Sequence, residues 1–131
     1  MTGITNINPP GSVPGGHYSH GTVANGFVFV SGQLPITAAG EKLTQASFSD
    51  QARQVLANVE GVLKACGSSI DKLVQVRVYI DSVQNWPEFN AIYAAWAGSS
   101  RPSRAVVPCG QLHYGLKVEV EAVALADPSL R

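Results

Sequence analysis

The chain has 131 residues, a length that fits one domain. Nine basic and nine acidic residues leave no net charge and a pI near 6.8, which makes nucleic acid an unlikely main partner, because phosphate binding shows as clustered Lys and Arg. No apolar run approaches the ~20 residues needed to span a bilayer, and MTGITNINPPGSVPGG lacks the basic head and apolar stretch of a signal peptide, so a cytoplasmic location is expected, with Cys66 and Cys109 as free thiols.

Residues 1–16, rich in Gly, Pro and Asn, read as an extended N-terminal arm of a single domain spanning 1–131. HYSHGTVA and FVFVSGQ flank Asn25-Gly26, a pair suited to the tight turn of a hairpin. His17 and His20 fall on the first strand of that hairpin, and their odd spacing sends them to opposite faces, against a shared metal. A loop runs from Pro35 to Gln45. From Phe48 to Cys66, the residues Ala52, Val55, Leu56, Val59, Val62, Leu63 and Cys66 follow the three-four spacing of a helix with one buried face. Ser49 is its expected N-cap and Gly67 its stop.

LVQVRVYI, residues 73–80, is a predicted strand with Val74, Val76, Val78 and Ile80 on one side. Asn85-Trp-Pro-Glu88 opens a second helix with the spacing of a capping box and a proline in the first turn. Phe89, Ile92, Tyr93 and Trp96 form its inner face, and Gly98 ends it. Two closing strands are predicted, Arg104 to Cys109 and Lys117 to Leu125. Trp86 and Trp96 read as helix-packing core.

The predicted order is strand, strand, helix, strand, helix, strand, strand, an α+β domain. Two amphipathic helices cover one face of such a sheet, and in a monomer the other face would be polar. Phe27 and Phe29 alternate with Val28 and Val30, so both sides of that strand are apolar. The second face is therefore expected to be buried against other copies of the chain.

The sequence has no glycine-rich phosphate loop, no GxSxG elbow and no zinc-type cysteine spacing. Arg104 opens the apolar run AVV, and Glu119 sits in the alternating KVEVEAVAL. Charges on segments that otherwise look like core are costly unless partnered. Arg104 reads either as half of an ion pair across the sheet or interface, or as a planar clamp for a substrate carboxylate. Glu119 and Glu121 share one strand face with Lys117, opposite Val118, Val120, Ala122 and Ala124. Each is either a solvated or salt-bridged strand residue or a carboxylate that positions a water. Tyr18 and Ser31 on the hairpin, and Asn90 on the second helix, read first as hydrogen-bonded structural residues. His113 and Tyr114 lie in the loop before the last strand, at the surface or roofing a pocket.

GHYSHG, FVSGQLP, QARQVLANVEGVLKACG, PSRAVV and KVEVEAVA together resemble the Rid (YjgF/RidA) family of imine deaminases, from about Gly16 to Leu125. FNAIYAAW resembles the family's second helix more loosely, because Asn90 immediately follows Phe89. The resemblance implies a chorismate-mutase-like fold, a mixed sheet with two helices packed on one face, assembling into a trimeric barrel with sites in the clefts between subunits. It implies hydrolysis of carboxylate-bearing enamines and imines, such as 2-aminoacrylate, to 2-keto acids and ammonia, without metal or organic cofactor. Residue by residue, it makes Arg104 the carboxylate-binding arginine and Glu119 the acidic residue near the reacting water. Tyr18, Ser31, Asn90 and Val106 would line the pocket. Val106 stands where many family deaminases have cysteine, His17 replaces a frequent proline, and LHYG replaces the loop of the best-known deaminases. These departures bear on substrate preference more than on reaction type, though a required thiol at Val106 would bear on activity itself. Two other classes stand beside the enzyme: a non-catalytic trimer that binds or senses a small acid, and a ribonuclease or translation inhibitor.

Overall fold

In the computed structural model, which describes residues 3–128, the chain runs through β1 (Ile4–Ile7), β2 (Gly21–Ala24), β3 (Phe27–Gln33), α1 (Phe48–Ala65), β4 (Leu73–Ile80), α2 (Trp86–Ala97), β5 (Ser103–Pro108) and β6 (Val118–Leu125). The strands form one mixed sheet in the order β1-β2-β3-β6-β4-β5. β4 and β5 are parallel, joined by the crossover through α2, and every other pair is antiparallel. The expected α+β class, with both helices on one face of the sheet, is the class observed.

Within the arm expected over 1–16, Ile4–Ile7 pairs with β2 as the edge strand, Ile4 opposite Ala24 and Ile7 opposite Gly21. Composition gives no sign of it, because four residues between glycine and a Pro-Pro pair carry too little alternation. Asn25 and Gly26 both have positive φ, 53° and 84°. That is the backbone of the turn whose twist matches two antiparallel strands. The strand before this turn begins only at Gly21, so His17 and His20 lie in a bent segment and their facing does not follow strand alternation.

The helix over 48–65 buries the residues its spacing indicated. Its cap is Ser47, not Ser49: the Ser47 hydroxyl accepts the Asp50 N–H at 3.1 Å. The Ser49 hydroxyl instead donates to the Glu88 carboxylate on α2. Gly67, at φ 73°, takes the left-handed conformation that ends the helix. In β4, Val76, Val78 and Ile80 are fully buried, but Val74 is 40% exposed. The register against β6 slips between Leu73 and Gln75, and the slip turns Val74 out of the core. α2 has no capping box. Asn85 is already helical and its side chain caps nothing, because a short 3-10 turn, Val83–Asn85, leads into the helix and is capped by Ser82. Phe89 and Tyr93 are buried as expected, whereas Trp86 is exposed, one turn too early to reach the core.

One core lies between the helices and the sheet. Val55, Leu56, Val59 and Leu63 from α1 and Phe89 from α2 meet Val28, Val76, Val78, Ile80, Val118 and Val120. On the opposite face Phe27, Phe29, Val107 and Leu125 are exposed in a single chain, Phe29 by 45%. Burying such side chains yields about 1.5–3 kcal/mol each, so this face has the composition of a contact surface.

Candidate functional site

β5 lies at the sheet edge, in register with β4: Val76 faces Arg104 and Val78 faces Val106. Since Val76 and Val78 point into the core, Arg104 and Val106 lie on the helix-covered face. There Val106 packs against the core. Arg104 Nη1 donates to Asn90 Oδ1 of α2 at 3.0 Å, and its guanidinium carbon lies 4.8 Å from the centroid of the Tyr93 ring. Among the described residues the ion pairs are Arg53 with Asp50, Lys64 with Glu60 and Arg77 with Glu121. Arg104 is therefore half-buried with no carboxylate of its own. A guanidinium offers five donors in a rigid fork, and one neutral acceptor leaves most of that fork uncommitted.

β6 carries the two glutamates on the face without helices, Glu119 in register with Tyr79 and Glu121 with Arg77. Glu121 is well partnered: Tyr79 Oη donates to it at 2.5 Å, and Arg77 Nη1 lies 3.8 Å away. Glu119 has no hydrogen-bond or ion-pair partner among the described residues. Burial pushes its carboxyl pKa above the ordinary value; His113 offsets part of that shift, and Glu121 adds to it. The carboxylate fits because of Gly32. β3 bulges between Val30 and Gln33, and a β-carbon at Gly32 would fall inside the van der Waals shell of Glu119 Oε2. A glycine inside a strand pattern often marks such a close approach, and that was the signal in FVSGQ.

The bulge is held from the other side. The Ser31 hydroxyl donates to the Ser19 carbonyl at 2.6 Å, and the Ser31 N–H donates to the His20 carbonyl at 2.9 Å. The buried Gln33 amide donates to the Ser31 carbonyl at 3.0 Å and lies 3.2 Å from His20 Nδ1. Burial lowers the His20 pKa, which suits an imidazole that accepts at Nδ1. The Tyr18 ring meets His20 edge-on at 5.8 Å. Tyr18, Ser31 and Glu119 thus gather around the β3 bulge, while Arg104, Asn90 and Val106 gather at β5 and α2 on the other face. One chain does not bring the two groups together. His20, Gln33, Gly32 and Tyr93 join these clusters without having been singled out from the sequence as site residues.

No group of three potential metal ligands occurs among the described residues, and both cysteines are free, Cys66 buried and Cys109 half-buried. No helix among the described residues is long and apolar enough to cross a membrane.

A family model described as endoribonuclease L-PSP matches residues 10–126. Protein HMF1 of Saccharomyces cerevisiae is 37% identical over 107 residues, covering 82% of this chain and 82% of that protein. Among solved structures, YyfA of Yersinia pestis, described as a protein of unknown function of the conserved Rid family, superposes with a TM-score of 0.87 at 32% identity, covering 94% of this chain and 99% of that one. Escherichia coli TdcF with bound serine superposes with a TM-score of 0.82 at 29% identity, covering 94% and 99%. The chain belongs to the L-PSP (YjgF/Rid) family.

Proposed function

We propose that the chain is a cofactor-independent deaminase that hydrolyses 2-aminoacrylate-type enamines, through their 2-iminopropanoate-type imine tautomers, to 2-keto acids and ammonia. The observation that carries this reading is Arg104, a half-buried guanidinium oriented by Asn90 and Tyr93 with no carboxylate partner among the described residues. Such a fork binds a substrate carboxylate by two parallel hydrogen bonds. TdcF, on the same fold, is crystallised with serine, an amino acid that bears this group.

The active form in this reading is a homotrimer in which the Arg104 side of one subunit meets the Glu119 side of the next. Two features support it: the two groups lie on opposite faces of one sheet, and the Glu119 face exposes Phe27, Phe29, Val107 and Leu125 in a single chain. The reacting carbon then lies in a cleft between subunits, with Tyr18 and Ser31 from one side and Asn90 and Val106 from the other.

The chemistry asks little of the protein. Arg104 holds the carboxylate and so orients the imine. Glu119 takes a proton from a water whose oxygen attacks the imine carbon and passes that proton to the imine nitrogen, giving a carbinolamine. Glu119 then takes the hydroxyl proton and gives it to the amine as the C–N bond breaks, the carbonyl forms and ammonia leaves. A raised pKa brings the carboxyl closer to the range in which it can pass a proton both ways. Val106 offers only an apolar wall, so no step is given to a thiol at that position. The compartment proposed is the cytoplasm, in keeping with the two free thiols.

Ammonia release from freshly generated 2-aminoacrylate tests this reading. Acceleration over the spontaneous hydrolysis is expected. Tight binding of a 2-keto acid without acceleration would make the protein a small-acid-binding trimer, a reading favoured by the apolar Val106. The ribonuclease activity in the family's description is the third possibility, and salt-dependent RNA binding would reveal it; the balanced charge gives it little support.

A further inference from the structure

With the carboxylate-binding role proposed for Arg104 as premise, we infer that Tyr93 is a positioning residue that sets the plane of the Arg104 guanidinium. Tyr93 is only 7% exposed and packs against Phe89 and Trp96, whose ring centroids each lie 5.8 Å from its own. This packing restrains the ring, and the guanidinium lies over it at 4.8 Å. A cation above an aromatic face is held by the ring quadrupole. The rotation left to the fork is fixed by the single bond from Nη1 to Asn90 Oδ1.

That bond also fixes Asn90. Flipping its amide would set N–H against N–H, so Oδ1 stays on Arg104 and Nδ2 is turned away from it.

The hydroxyl of Tyr93 has no part in this. It is buried with no hydrogen-bond partner among the described residues, and burial raises its pKa, so only the ring is needed. The positioning role therefore separates phenylalanine from aliphatic replacements, which a purely structural role would not do in the same way.

The experiment is a titration of the intact protein with 2-ketobutyrate, followed by calorimetry and by the Arg104 Nε–Hε resonance. In wild type and Tyr93→Phe that resonance is expected upfield, shifted by the ring current, and the two dissociation constants should agree within about twofold. Tyr93→Leu and the better-filling Tyr93→Met should lose the upfield shift and bind about two- to thirtyfold more weakly. A folded Leu or Met variant that binds as tightly as wild type overturns the inference and leaves the deaminase reading standing. Equal weakening in all three variants, tracking loss of thermal stability, also overturns it, since Tyr93 is then structural. Failure of the wild type to bind 2-ketobutyrate overturns both the inference and the premise.

Discussion

Arg104 and Glu119 lie on opposite faces of one sheet: Arg104 is in register with the buried Val76, and Glu119 with Tyr79 on the face that carries no helix. Neither forms an ion pair among the described residues. Such groups, kept on elements that otherwise bury apolar side chains, are costly in isolation. Both are accounted for if each waits for a ligand or a neighbouring subunit.

Arg104→Lys should leave the fold intact and remove most activity. Lysine keeps the charge but has neither the planar fork nor the same reach to Asn90. A charge-assisted hydrogen bond is worth about 1.5–3 kcal/mol, so kcat/KM should fall about tenfold to more than a hundredfold. Steady-state kinetics with a circular-dichroism check of folding decides this; a folded variant with wild-type kcat/KM would make Arg104 structural.

Glu119→Gln and Glu121→Gln should part ways. Glu119 has no hydrogen-bond or ion-pair partner among the described residues to lose, so its amide should lower kcat and leave 2-keto acid binding nearly unchanged, the pattern of an interaction made only in the transition state. Glu121 accepts from Tyr79 and pairs with Arg77. Its amide should cost about 0.5–1 kcal/mol of stability, read by denaturant unfolding, with kcat preserved. An inactive Glu121 variant beside an active Glu119 variant would reverse the two roles.

Gly32→Ala tests the fit of Glu119 against the β3 bulge. The added methyl meets the carboxylate end of a flexible side chain and not backbone, so the protein should fold and Glu119 should swing aside. Turnover should then fall about as far as in Glu119→Gln, by a factor of about 10²–10⁴ if the carboxylate is the general base. Unchanged kcat would mean that the position of Glu119 over Gly32 has no part in the reaction.

The raised pKa of Glu119 makes a signed prediction about pH. A carboxyl whose folded pKa exceeds its unfolded value of about 4.3 binds more protons in the folded state, so its contribution to stability falls as pH rises through the folded pKa. Glu119→Gln should therefore be as stable as wild type in acid and more stable at neutral pH. The same titration should appear as an acidic limb in the pH dependence of kcat, displaced upward from the ordinary carboxylate value and lost in the amide variant. Thermal unfolding and rate profiles across pH measure the two halves.

The helix over 48–65 and the core side of β4 were legible because their burial follows from spacing within one segment. β1 was not: four residues carry no pattern, and only pairing with β2 defines them. The caps of both helices differ because neighbouring polar groups compete. Ser49 is drawn to Glu88, and a 3-10 turn enters α2 ahead of Asn85. Arg104 and Glu119 stood out as charges on apolar strands, but their placement on opposite faces depends on how β5 registers against β4, which no single segment encodes. The difference between Glu119 and Glu121 is likewise tertiary. Tyr79 and Arg77 satisfy one carboxylate, and the Gly32 bulge makes room for the other. Tyr93 read only as part of a helix's inner face, because nothing local showed that an arginine from the next strand would lie on its ring.

Complementation between two inactive variants tests the shared site most directly. Arg104→Lys subunits retain Glu119, and Glu119→Gln subunits retain Arg104. In a mixed trimer of either composition, one of the three junctions carries both native residues. Random mixing by co-refolding, with mass spectrometry to confirm mixed trimers, should restore about a quarter of wild-type turnover, because about three trimers in four are mixed and each holds one intact junction. Mixed trimers that form and stay inactive, or a protein that remains monomeric at micromolar concentration in sedimentation equilibrium, would contradict a site built from two subunits.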